Sequence, residues 1–234
     1  ITYMRTDSTR IAEEAISKVQ NLIKERFGAD LVNPKVRVFK NKQSAQDAHE
    51  AIRPTDPFRT PESVAQYLTK EQLKLYTLIW QRFIASQMIP VKLLSTSVKI
   101  NAGKAEFVSS GAQIVEEGFL KAYPHINIPL GEKIHSDYTK DDVLEHSPLE
   151  KTQHFTTPPA RYTEASLIKE LEAKGIGRPS TYAAIIETLR KRKYVSMEKR
   201  AFLPTQLGND VNRFLVDKFD YLFNVKFTAE METK

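Results

Sequence analysis

The chain has 234 residues, a formal net charge of +6 and a sequence pI of about 9.3. The absence of cysteine excludes disulfides and cysteine-ligated zinc from these residues, and no apolar run approaches the ~20 residues that cross a bilayer. The length suffices for one large domain or a few small ones, the basic charge suits a polyanionic partner, and no signal-peptide pattern opens the chain. We therefore expect a soluble, cytoplasmic protein that makes no use of a membrane.

A tyrosine and an arginine stand two positions apart in the first segment. Residues 1–8 are β-prone and end on the helix-capping sequence Thr-Asp-Ser. In an extended strand successive side chains alternate between faces, so Tyr3 and Arg5 would point the same way. A guanidinium can grip a phosphate bidentately while a phenol oxygen approaches phosphorus, which makes the pair a candidate for phosphodiester attack. Taken alone, the same pair is more often an ordinary half-exposed strand face.

Helical periodicity dominates the rest of the first 88 residues. Apolar residues at steps of three and four predict a helix that begins within residues 8–12 and ends before Gly28. Two further helix starts are indicated by Thr60-Pro61-Glu62, a cap with a first-turn proline, and by the capping box Thr69-Lys70-Glu71-Gln72. We predict a mostly helical domain with a small sheet over residues 1–88.

The pattern changes to β-branched residues after Pro90. Two such runs flank Asn101-Ala102-Gly103-Lys104, which predicts the turn of a hairpin. We interpret residues 89–157 as an extended β arm rather than a compact domain.

The helical signal returns over residues 158–234. The expected order is helix, helix, hairpin and helix, with starts at Thr163, Ser180-Thr181, Tyr194 and Thr205. The first of these helices is expected to end at Gly175, a common residue just after a helix.

A second candidate site is formed by residues 175–182, which combine two glycines, Arg178 and the helix start at Ser180-Thr181. Free backbone N–H groups there, with two hydroxyls and a guanidinium, would bind phosphate. Arg190-Lys191-Arg192-Lys193 places four positive charges at the far end of the same helix. Routine capping and compensation of the helix dipole are the structural alternatives. Both features on one helix favour a surface that follows a DNA backbone.

Three blocks resemble type IA DNA topoisomerases, in this order and at about this separation: residues 1–8, 48–55 and 175–182. Met4, where other members of the class often have proline, makes the resemblance closest to the bacterial DNA topoisomerase I branch. Residues 153–161 and 227–232 also look like that family, so the resemblance covers nearly the whole chain.

The resemblance implies a multi-domain α+β fold that forms part of a toroid. The expected parts are a helical nucleophile domain (1–88), a β arm that encloses the hole (89–157), and part of a winged-helix-like single-strand-binding domain (158–234). It implies transient cleavage of one DNA strand through a 5′-phosphotyrosine link, strand passage and religation, which relaxes negative supercoils. The implied partners are single-stranded DNA and negatively supercoiled duplex DNA, bound by a monomer.

The resemblance also assigns roles to residues. Tyr3 would be the nucleophile, Arg5 would position the phosphate and stabilise its charge, and His49 would lie near the scissile phosphates. Arg53, held extended by the following proline, either contacts phosphate or braces its loop. Contacts to single-stranded DNA are expected from Arg178, Ser180, Thr181 and Arg192.

Magnesium in this family is bound by an acidic cluster of a separate Toprim domain. No Asp-x-Asp cluster occurs in this chain, so we expect no metal site here, Mg²⁺ on the absent Toprim domain, and no activity of the chain alone. Glycine-rich nucleotide loops are absent, so ATP use is not supported. Because Ile1 opens the chain inside a motif and residues 231–234 carry no helix stop, we expect a fragment.

Two other functions remain open from the sequence. Residues 163–216 have the element order of a winged helix with a basic second helix, which would suit a non-enzymatic DNA-binding module. An assembly scaffold whose charges are merely solvated is the third possibility. The winged-helix module does not account for the blocks around Tyr3 and His49, which lie outside residues 163–216.

Overall fold

The computed structural model describes residues 1–6, 8–39, 49–131, 138–145, 148 and 150–233. Within them lie seven α-helices and two antiparallel two-stranded sheets, so the expected mixture of helices and strands is confirmed. Two compact units are formed, Ile1–Ser147 and Pro148–Lys234. The three-domain division made from the sequence stays a prediction. Asp7 and Ala48, which belong to the first two sequence blocks, lie outside the described residues.

The first unit has a helical core. Its helices are α1 (Glu13–Arg26), α2 (Pro61–Val64) and α3 (Lys70–Ser86). One cluster of buried apolar side chains joins α1 and α3 to the segments that follow them: Ala15, Val19, Leu22, Ile23, Leu31, Trp80, Phe83, Ile84, Met88 and Ala122. The α1 members recur at steps of three and four, which is the spacing that places side chains on one helix face.

The helix starts at α2 and α3 are as predicted. The Thr60 hydroxyl accepts a hydrogen bond from the Ser63 N–H at 3.3 Å, and Pro61 stands in the first turn. At α3 both bonds of the capping box between Thr69 and Gln72 are present. Each cap satisfies a backbone donor that a helix start leaves without an intrahelical partner.

The N-terminal segment differs from the prediction. Residues 1–6 form neither helix nor strand, so the expected β-strand is not found in the described part of the segment. The helix α1 begins at Glu13, and its N-cap Ala12 makes no side-chain capping bond. The Ser8 hydroxyl, expected at the helix start, instead donates to the carbonyl oxygen of His49 at 2.7 Å. A contact between distant parts of the chain has replaced the local one.

The predicted hairpin is confirmed. Strand β1 (Lys92–Ala102) pairs with β2 (Ala105–Glu116) around a two-residue turn. Gly103 in this turn has a φ of 62°, which glycine adopts without steric cost. Most side chains on both strands are exposed. The interpretation of residues 89–157 as an arm, and the toroid that it would enclose, stay predictions.

The second unit follows the predicted order of helix, helix, hairpin and helix. Its elements are α4 (Glu164–Ala173), α5 (Tyr182–Lys191), β3 (Val195–Glu198), β4 (Ala201–Pro204), α6 (Gln206–Lys218) and α7 (Val225–Thr233). Gly208 lets α6 approach the hairpin closely, because an added Cβ would lie 2.1 Å from the carbonyl oxygen of Tyr194. The last helix, α7, was not predicted from the sequence.

Candidate functional site

Tyr3 lies on the surface of the first unit with its ring against His49. The tyrosine is 76% exposed, and the two ring centroids are 6.1 Å apart with an angle of 27° between the planes. This separation is within the range in which aromatic rings interact favourably. Two of the three residues predicted to act in catalysis are therefore neighbours, although they are far apart in sequence. Arg5 is half-buried, and its predicted role stays a prediction.

The imidazole of His49 has an unusual environment. Its Nδ1 atom is buried and has no hydrogen-bond partner among the described residues. The backbone of the same residue is fixed, since its carbonyl oxygen accepts the Ser8 hydroxyl. Buried polar atoms are nearly always paired, so the ring has a hydrogen-bonding capacity that the described part of the chain does not use.

Thr2 joins the Tyr3 segment to the His49 segment. Its N–H donates to the carbonyl oxygen of Arg53 at 2.9 Å, and its hydroxyl donates to the carbonyl oxygen of Ala51 at 2.8 Å. The same hydroxyl accepts the Arg53 N–H at 3.0 Å. These bonds fix the backbone directly before Tyr3. Near the other end of the segment, the Ala51 N–H donates to the Arg10 carbonyl oxygen at 2.8 Å.

The guanidinium of Arg53 is engaged within the protein. Its Nε and Nη2 atoms donate to Oε2 of Glu50 at 3.0 and 2.7 Å, and Nη1 donates to the Pro54 carbonyl oxygen at 3.0 Å. The two side chains are only 12% and 23% exposed. The sequence left two roles open for Arg53, and these contacts are those of a residue that braces its loop. Contact with phosphate stays a prediction.

In the second unit the block around Gly177 forms a tight turn into α5. Gly177 has a φ of 75°, and the Arg178 N–H donates to the Thr181 hydroxyl at 2.9 Å. The Thr181 N–H donates in turn to the Arg178 carbonyl oxygen at 2.8 Å. Ser180 lies between them and is exposed. Three of the four predicted contacts to single-stranded DNA are thus brought together.

A carboxylate from α7 already occupies part of this turn. Oε1 of Glu232 accepts the Gly177 N–H at 3.1 Å, and its Oε2 lies 3.5 Å from Nη1 of Arg178. The Arg178 guanidinium also donates to the Glu232 carbonyl oxygen. Sequence analysis gave Glu232 no role, although it lies in a block of the family resemblance. The turn binds an anion, and in this structure the anion is the protein's own side chain.

Arg192 lies at the far end of α5 and is exposed. A ten-residue helix is about 15 Å long, so Arg192 lies about one helix length from the turn that holds Arg178. Arg190, also at this end, forms an exposed ion pair with Glu164 at 3.3 Å. The candidate surface therefore has two separate positive ends along one helix.

The described ranges contain neither a cluster of metal ligands nor a membrane-spanning helix. No three histidine, aspartate or glutamate side chains there lie close enough to share a metal ion. No helix there combines the length and the apolar composition required to cross a membrane. The expectation about magnesium stays a prediction.

Comparison with known proteins identifies the family. A family model described as DNA topoisomerase matches residues 1–234. DNA topoisomerase 1 of Xylella fastidiosa strain 9a5c is 45% identical over 240 residues, which cover 99% of this chain and 29% of the relative. The protein of the same name from strain Temecula1 gives the same identity and coverage.

A solved structure agrees with the sequence relatives. Full-length topoisomerase I from Thermotoga maritima matches with a TM-score of 0.79 and 37% identity, over 99% of this chain and 37% of that one. The chain thus spans less than a third of the length of the curated relatives it matches. These matches run through the Tyr3, His49 and Gly177 blocks alike, so the family resemblance is confirmed and the separate winged-helix module is not favoured. The chain belongs to the bacterial type IA DNA topoisomerases.

Proposed function

We propose that this chain supplies the nucleophile and part of the single-strand-binding surface of an enzyme that cleaves and rejoins one DNA strand. The observation that carries the proposal is the exposed Tyr3 ring stacked on His49, within a match to DNA topoisomerases over the whole chain. The full reaction would pass a strand through the transient break and relax negative supercoils. Its substrates would be single-stranded DNA and negatively supercoiled duplex DNA, and the enzyme would act as a monomer.

The proposed chemistry is a reversible exchange of phosphodiester bonds. The Tyr3 phenol oxygen loses its proton and attacks phosphorus, the bond from phosphorus to the 3′ oxygen breaks, and the leaving 3′ oxygen takes up a proton. The products are a 5′-phosphotyrosine and a free 3′-hydroxyl, which can attack in the reverse direction. A phenol has a pKa of ~10, well below that of an alcohol, so it leaves readily during religation. Because one phosphodiester bond is exchanged for another, the intermediate keeps the bond energy that religation needs, and the reaction requires no ATP.

Arg5 and His49 are proposed to assist at the phosphate. A guanidinium beside the phosphorus neutralises charge and fixes orientation, which are the main requirements of phosphoryl transfer. His49 stacks on Tyr3, and a ring nitrogen could donate a hydrogen bond to a phosphate oxygen. Magnesium, bound to a Toprim domain outside these residues, would supply further charge neutralisation when bound.

The proposed binding surface lies along α5. Arg178, Ser180 and Thr181 would hold one phosphate at the helix start, and Arg192 would hold another about one helix length away. For Arg53, whose guanidinium donates to Glu50 and to the Pro54 carbonyl oxygen, we propose the bracing role rather than contact with phosphate. At the helix start a phosphate would replace the Glu232 carboxylate on the Gly177 N–H and the Arg178 guanidinium.

Covalent trapping on a denaturing gel tests the proposal. The assay uses a protein of the relatives' full length that contains this chain, termed the full-length protein, with magnesium and a single-stranded oligonucleotide. Because the tyrosine would keep the 5′-phosphate, a 3′-end label should migrate with the protein and a 5′-end label should be released. A covalent species with the opposite label, or one that persists in Tyr3→Phe, would overturn the assignment. A binding module without catalytic activity would retain neither label.

A further inference from the structure

We propose that Glu50 is a positioning residue for Tyr3, an inference that rests on the proposed function. Residues 1–6 form no helix or strand, so Tyr3 receives no fixed place from regular secondary structure. Its position depends instead on hydrogen bonds between its own segment and residues 49–53. Glu50 lies in the middle of those bonds.

The first step is the contact of Glu50 with Arg53. One carboxylate oxygen, Oε2, accepts from two guanidinium nitrogens at 3.0 and 2.7 Å. Both side chains are largely buried, at 23% and 12% exposure. Charge-assisted bonds in such surroundings are stronger and more directional than surface ion pairs. The third guanidinium nitrogen, Nη1, donates to the Pro54 carbonyl oxygen, so the guanidinium is fixed on both sides.

Arg53 is linked to the Tyr3 segment by backbone hydrogen bonds to Thr2. The backbone of Arg53 both donates to the Thr2 hydroxyl and accepts the Thr2 N–H. Thr2 is the residue before the proposed nucleophile, so these bonds make the position of the Tyr3 main chain depend on the position of Arg53. Removing the Glu50 charge would free the Arg53 side chain and loosen this path.

Glu50 also lies near Ser8 and Arg10, at the other end of the segment that carries Tyr3. Oε1 of Glu50 lies 4.0 Å from Nη2 of Arg10, whose carbonyl oxygen accepts the Ala51 N–H. The residue before Glu50, His49, accepts the Ser8 hydroxyl. The carboxylate of Glu50 therefore lies beside two arginines: Arg53, which is bonded to Thr2, and Arg10, at the other end of the segment that carries Tyr3. Catalysis is sensitive to such placement, since a displacement of about 1 Å can cost roughly a hundredfold in rate.

Glu50→Gln in the full-length protein tests the role. The amide keeps the size of the side chain but removes its charge. We expect the rate of covalent trapping at saturating single-stranded DNA to fall by about tenfold to a hundredfold, while affinity for that DNA changes less than about twofold. The matched control is Glu62→Gln, which breaks an exposed ion pair with Arg26 at 3.5 Å in the same unit and should change neither quantity.

A double-mutant cycle with Arg53→Lys separates positioning from phosphate contact. Lysine keeps the positive charge but cannot form the paired contact, so both single variants and the double variant should show the same loss of rate. Additive losses, or weaker DNA binding by Arg53→Lys, would show that Arg53 acts on phosphate independently of Glu50 and would overturn the inference.

The remaining outcomes are also decisive. Normal trapping by Glu50→Gln, with active wild type, overturns the positioning role and leaves the proposed function intact. Absence of any adduct from the wild type counts against the proposed function itself. Should Glu50→Gln lose DNA binding through misfolding, Arg53→Lys carries the test: slow trapping with retained binding supports the role, and normal trapping refutes it.

Discussion

The two candidate sites, one in each unit, are held in different ways. Tyr3 stands on irregular backbone that is fixed by hydrogen bonds to a distant segment. Arg178 stands in the turn that leads into α5, and its guanidinium pairs with the carboxylate of Glu232. A nucleophile needs one fixed geometry, whereas a phosphate contact needs an anion site that can exchange its occupant. The comparison predicts that substitutions in the first site change rate and that substitutions in the second change affinity.

The largest effect is expected from Tyr3→Phe. The substitution removes only the attacking oxygen, so it should abolish DNA cleavage and relaxation in the full-length protein. Affinity for single-stranded DNA should stay nearly unchanged, because it comes from many phosphate contacts. Relaxation of supercoiled plasmid and an equilibrium binding titration measure the two quantities. Near-normal relaxation by this variant would remove Tyr3 from the mechanism.

The hydrogen bonds of the Thr2 hydroxyl should also affect the rate of covalent trapping. Thr2→Val keeps the shape of the side chain but loses the bonds to Ala51 and Arg53. We expect the trapping rate to fall on the order of tenfold at saturating DNA, without loss of affinity. Thr2→Ser keeps a hydroxyl and is the matched control, expected near wild type. If Thr2→Val and Thr2→Ser have the same trapping rate, the hydroxyl does not position Tyr3. The proposed difference between the two sites would then lose support.

Removal of positive charge along α5 should change affinity instead. Arg178→Ala or Arg192→Ala should weaken binding of single-stranded DNA by ~1 kcal/mol each, about fivefold, similarly for all base sequences. The chain alone should show the same losses, with affinity that falls as salt rises and with no relaxation of supercoils. Fluorescence anisotropy with single- and double-stranded oligonucleotides measures them.

Lys199→Ala is the control for these variants. Lys199 lies in the two-residue turn of the β3–β4 hairpin, between the paired residues Glu198 and Ala201, and has a φ of 45°. Little effect is expected if DNA follows α5. A dominant loss at Lys199, with duplex preferred over single strands, would instead indicate the winged-helix mode of binding.

The features that the sequence predicted correctly are local ones. The caps at Thr60, Thr69, Thr163 and Thr205 each join residues three apart, so the pattern contains everything that the contact requires. The hairpin at Gly103 is equally local. These motifs therefore gave the helix and strand order of both units with few errors.

The errors arose where distant segments meet. The expected strand at Tyr3 needed a ladder partner, and the structure supplies scattered bonds to residues 49–53 instead. Ser8 was expected to cap α1 but binds His49, 41 residues away. The contact of Glu232 with Gly177 spans 55 residues. No periodicity records such pairs, and the family resemblance located the blocks without showing how they touch.

The smallest effect is expected from Glu232→Gln, which tests whether the anion site is exchangeable. The amide oxygen can still accept the Gly177 N–H, but the negative charge that competes with phosphate is gone. Because the pair with Arg178 is 42% and 33% exposed, its contribution is about 0–1 kcal/mol, and we expect affinity for single-stranded DNA to rise only about two- to fivefold at low salt. The gain should shrink as salt screens the pair.

Glu230→Gln is the matched control for this variant, since it removes the same charge from an exposed position of α7. It should raise affinity less than Glu232→Gln, because only Glu232 in this pair of variants touches the Gly177–Arg178 turn. Equal gains would reduce the effect to net charge. Weaker binding by Glu232→Gln alone would mean that the carboxylate orients Arg178 for DNA rather than competing with it. In that case both sites would depend on a fixed arginine–glutamate pair, and the distinction between a rigid and an exchangeable site would fail.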